Sequence, residues 1–80
     1  RQKDVAFYLR RVGGLSEASA GSVAAEVLPA LNRHTNLRLL DDAIQSARAS
    51  DGSDDPKADS IKQKVFELSG LDPKTLRPEE

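Results

Sequence analysis

His34 is the only histidine of the chain, and there is no cysteine, methionine or tryptophan. A general base paired with a nucleophile, or a histidine and cysteine metal set, cannot be assembled from these residues. His34 follows Arg33 in a polar turn, with no acid or nucleophile at a spacing that makes a local catalytic pair, and reads as an exposed turn residue. The acidic stretch Asp51 to Asp59 puts Asp51, Ser53, Asp55 and Asp59 at the first, third, fifth and ninth positions of a calcium loop. Its sixth position, where the sharp turn requires glycine, is Pro56, and its twelfth, where the ion requires a bidentate glutamate, is Lys62. The stretch therefore reads as a solvated acidic linker. Asp41 and Asp42 are adjacent on a helix, so their side chains diverge by about 100° and read as a solvated face. Gly13-Gly14 lacks the further glycines, the lysine and the preceding strand of a phosphate loop. We expect no catalysis, no metal and no cofactor.

What stands out instead is apolar. Phe7 points nearly opposite the stripe of its own helix and has Lys3, Arg10 and Arg11 as helical neighbours. Phe66 falls outside the stripe of the last helix, and Leu39 widens the apolar arc of the third. Large apolar residues off their own stripe serve either a second packing contact or a partner, and aromatic and arginine anchors dominate protein–protein affinity. The expected function is thus a non-catalytic helical protein–protein interaction domain, with Phe7, Arg10, Arg11, Leu39 and Phe66 on its partner. The alternative is a nucleic-acid-binding helical domain using Arg10, Arg11, Arg33, His34 and Arg38. Against it stand Asp41 and Asp42 beside Arg38 on the third helix, and a pI near 5.8. A third reading is a structural, self-associating segment that forms a homo-oligomer.

The elements that must carry these residues are helical throughout. Val5, Tyr8, Leu9 and Val12 share one face of a first helix from about Lys3 to Val12, which Gly13-Gly14 ends, with Leu15 folding back over its last turn. Ser16, or else Ser19 or Ser22, caps a second helix striped by Val23, Ala24, Val27, Leu28 and Leu31, which kinks or breaks at Pro29. Thr35 or Asn36 caps a third, from Leu37 to about Ala49, striped by Leu37, Leu40, Ala43, Ile44 and Ala47. Residues 50–55 form a loop expected to be mobile. Asp55-Pro56 then opens a fourth helix striped by Ala58, Ile61, Val65 and Leu68 and closed by Gly70. Asp72-Pro73 starts one further turn that returns Leu76 to the core beside Leu71, and residues 77–80 fray. The short connection between helices two and three favours antiparallel neighbours, so the fold class is all-α, a small up-down bundle of about four helices.

Eighty residues allow a single domain. Residues 1–48 carry seven basic and five acidic side chains and residues 49–80 five and eight, a difference too small to name a partner. No apolar run reaches the length of a membrane span. The lack of cysteine is compatible with the cytoplasm, the expected location. The chain starts at Arg1 and contains no methionine, from which we expect a piece of a longer protein.

Overall fold

A computed structural model describes the backbone of residues 2–34 and 37–78, and the side chains of all of these except 32–34. It is an all-α bundle of four helices, α1 (Gln2–Arg11), α2 (Glu17–His34), α3 (Leu37–Asp51) and α4 (Ala58–Ser69). α1 packs on α2 and α3 on α4, and the two pairs meet where α2 packs on α4. The two most extensive contacts thus join helices adjacent in sequence. The short α2–α3 connection links these two pairs, and the helices it joins, expected as antiparallel neighbours, do not pack extensively on each other among the described residues.

Each helix ends for a local reason. Beyond α1, Gly14 takes a left-handed φ of 73°, and the Leu15 N–H donates to the Leu9 carbonyl at 3.2 Å, which seats Leu15 on the core. Ser16 caps α2, its Oγ accepting the Ser19 N–H at 3.1 Å. Gly70 closes α4 with φ 76°, its N–H shared between the Phe66 and Glu67 carbonyls. The caps expected from Thr35 or Asn36 lie outside the described residues. α2 is not broken at Pro29. Both Pro29 and Ala25, whose carbonyl loses its helical partner, are exposed, so water can satisfy that carbonyl and the helix continues.

Val5 and Leu9 of α1 meet Val23, Val27 and Leu31 of α2, Leu40 and Ile44 of α3, and Ile61 and Val65 of α4 in one core. Alanines fill much of the rest: Ala20 and Ala24 on α2, Ala43 and Ala47 on α3, each pair one turn apart and fully enclosed. Side chains this small let neighbouring backbones approach closely, which is how a short chain builds a sealed interior from few large residues. No polar or charged residue is buried among those described.

Three stripe assignments change. Leu68, placed on the α4 stripe by its periodicity, is 46% exposed, and Phe66, placed off it, is 6% exposed. The reason is that α4 packs against both α2 and α3, so its buried arc is wider than one neighbour requires, while Leu68 lies in the last turn. Leu37, in the first turn of α3, is 49% exposed rather than core. Leu76 does not return to the core. It is exposed with a left-handed φ of 59°, in a turn organised by the Asp72 carboxylate, which accepts the Lys74 and Thr75 N–H groups. Leu71 is buried as expected, and it pairs with Pro78 in a single antiparallel bridge.

Candidate functional site

The outer face of α1 is built by a helix that spends its other side on the core. Val5 and Leu9, four residues apart, are buried, and Tyr8 is half-buried. Rotating away from them by about 100° per residue brings Phe7 to the far side, where it is 57% exposed. Arg11, one turn on, lays its guanidinium carbon 5.6 Å from the centre of the Phe7 ring, a cation–π contact that holds the ring and the cation together. Lys3 and Arg10 are exposed on the same side of the helix. None of Lys3, Arg10 or Arg11 forms an ion pair with a carboxylate of the described residues. Elsewhere, by contrast, Lys62 pairs with Glu26 at 3.1 Å and Lys64 with Glu67 at 3.5 Å.

The remaining residues singled out from sequence do not join this face as a set. Phe66 is core, which takes it out of any surface the folded monomer can offer. Leu39 is half-buried against the core. Of the nucleic-acid alternative, Arg10, Arg11 and Arg38 are exposed, and the side chains of Arg33 and His34 lie outside the described residues. Asp41 is not merely solvated: half-buried, it accepts a hydrogen bond from the Tyr8 hydroxyl at 3.1 Å and so ties α1 to α3. Burial pushes the Tyr8 phenol above its ordinary pKa, and the Asp41 carboxylate, as acceptor and as negative charge, pushes the same way. Asp42 remains exposed.

A second polar centre escaped the sequence reading. At one end of the bundle the Arg48 guanidinium donates to the Val12 carbonyl at 2.7 Å and to the Asp54 carbonyl at 3.0 Å, fastening the end of α1 and the α3–α4 loop to α3. Arginine in a last helical turn commonly serves carbonyls left without helical partners, but the partners here belong to other segments, which spacing along one helix cannot reveal. α3 also runs on to Asp51, two residues past the expected end. The Asp51 carboxylate then accepts the Lys57 N–H at 2.9 Å and the Ser60 hydroxyl at 2.8 Å. The cap of α4 is thus supplied from α3 rather than by Asp55, and the helix starts at Ala58 with Lys57 at its cap position. The Lys57 N–H holds the Asp51 carboxyl below the ordinary carboxylate range; the Ser60 hydroxyl and the charges of Lys57 and Lys64 help, and burial opposes them.

These contacts tie the loop to α3, and its Ser53 N–H also donates to the Arg48 carbonyl at 3.1 Å. Of the acidic side chains in this stretch, that of Asp51 serves the fold, and no cluster of three or more metal-ligating side chains occurs among the described residues. No helix among them is long and apolar enough to cross a membrane. No known protein family, no curated protein and no solved structure matches the chain.

Proposed function

We propose that this chain is a non-catalytic helical protein–protein interaction domain that engages its partner through the outer face of α1, with Phe7 as the anchor and Arg10 and Arg11 beside it. The observation that carries the reading is the exposed Phe7 ring under the Arg11 guanidinium. An aromatic left in water forgoes the roughly 1.5–3 kcal/mol that burial would contribute, and a bundle with a sealed core does not need it outside. Held by an arginine, the ring has less freedom to lose on binding than a ring with no neighbour. Acids beside Arg38 on α3 and a net charge of −1 count against a phosphate-tracking surface.

The test replaces Phe7 by a photo-crosslinking phenylalanine analogue and, separately, by alanine. Crosslinking in cell extract is expected to yield discrete protein adducts that excess unmodified domain suppresses and excess Phe7→Ala domain does not. Adducts suppressed equally by both competitors, or nucleic acid as the captured species, would overturn the reading.

A further inference from the structure

We infer that the occupant of the α1 face is an acidic segment of another protein, carrying carboxylates on both sides of one large apolar side chain. The inference rests on the reading of α1 as a docking face and adds the chemistry of what docks. Around the exposed ring, Lys3 and Arg10 stand on one side and Arg11 on the other, all three exposed. Asp4 also borders this arc, which leaves it with an excess of cations. Such charges on an apolar patch select carboxylates and repel basic partners.

Arg11 sharpens the choice. A guanidinium in cation–π contact with a ring keeps N–H donors for other partners, in a fork that matches a carboxylate. With Arg11 held over Phe7, an apolar side chain laid against the ring brings a neighbouring carboxylate to those donors. A second copy of this chain fits worse. Its other exposed large apolar residues include Leu37 next to Arg38, and Leu76 close to Lys74 and Arg77, so those would bring like charge to the face; Leu68 adjoins Glu67, which is already paired with Lys64. A nucleic acid has no use for the exposed ring unless its bases are unpaired, and the chain as a whole carries a net charge of −1.

The experiment is selection of a displayed random-peptide library on the intact domain, with counter-selection on the Phe7→Ala variant. Winners are expected to carry aspartate or glutamate flanking a leucine or an aromatic residue. A synthesised winner, followed by fluorescence anisotropy, should lose about thirtyfold or more in affinity with Phe7→Ala and about fivefold with Arg11→Ala. Arg11→Lys should restore little, because an ammonium neither stacks nor forks. Neutral or basic winners that still require Phe7 would overturn the acidic partner and leave the docking face standing. Winners indifferent to Phe7, or no enrichment at all, would overturn the acidic partner, and in the first case the docking face with it. Sedimentation equilibrium showing a dimer that blocks the selected peptides would assign the face to a second copy instead.

Discussion

Two cationic regions of this molecule use arginine in opposite ways. At the end of the bundle, Arg48 is spent on the fold: its donors go to the carbonyls of Val12 and Asp54, and the nearby Asp51 carboxylate is likewise consumed by Lys57 and Ser60. On the outer face of α1, Arg11 lies against a ring that is itself exposed, and Lys3, Arg10 and Arg11 have no carboxylate partner among the described residues. The first arrangement answers backbone groups that helix ends leave without partners. The second answers no carboxylate among the described residues. Polar residues whose partners are accounted for within the fold argue for architecture, and the surplus is where a function beyond folding has room.

Phe66→Ala gives the largest effect and calibrates the comparison, because it truncates an enclosed ring: about 3–5 kcal/mol lost in urea unfolding. A loss below about 1 kcal/mol would mean that the ring is not core, and would return Phe66 to the candidate surface. Next comes Arg48→Met, which keeps the apolar stem and removes the donors. It should lower stability by about 1.5–3 kcal/mol, since two carbonyls lose a charged partner. An unchanged midpoint would erase the distinction between the two regions.

Asp51 gives a smaller and pH-dependent signal. Its folded pKa is held below the unfolded value, so the unfolded state binds the proton more readily. Its contribution is therefore complete above the ordinary carboxylate range and is lost as pH falls through the folded value. In Asp51→Asn that part of the acid dependence should vanish from a series of urea midpoints, and parallel pH profiles for the two proteins would refute the cap. Phe7→Ala should do least, changing the unfolding free energy by no more than about 0.5 kcal/mol. A loss in the range of Phe66→Ala would place Phe7 in the core and end the case for α1 as a docking face.

Helix number, most of the stripes and three helix ends were legible because they are written locally: in the spacing of Val5 and Leu9, in Ser16 at a cap, in the glycines at 14 and 70. Phe66 and Leu68 exchanged roles because a single helix's periodicity does not say how many neighbours it has or how far along its axis they reach. Asp51 was out of reach for a different reason. A cap is usually sought immediately before its helix, and this one arrives from the end of the preceding helix, across a loop that composition alone describes as unstructured. Phe7 was legible, since an aromatic opposite its own stripe needs no knowledge of neighbours to be conspicuous. Arg11 was legible as a helical neighbour of Phe7, though the stacking of the pair required the structure.

The hydrogen bond from Arg48 to Val12 joins residues 36 apart in the sequence. Contacts of that separation bring no return until the intervening chain has already been closed, so they tend to form late, after helices adjacent in sequence have found one another. Arg48 should therefore act on the return journey: its loss should speed unfolding and leave the refolding rate nearly untouched. The arginine that fastens the end of the bundle would then set how long a folded molecule lasts rather than how quickly it is made.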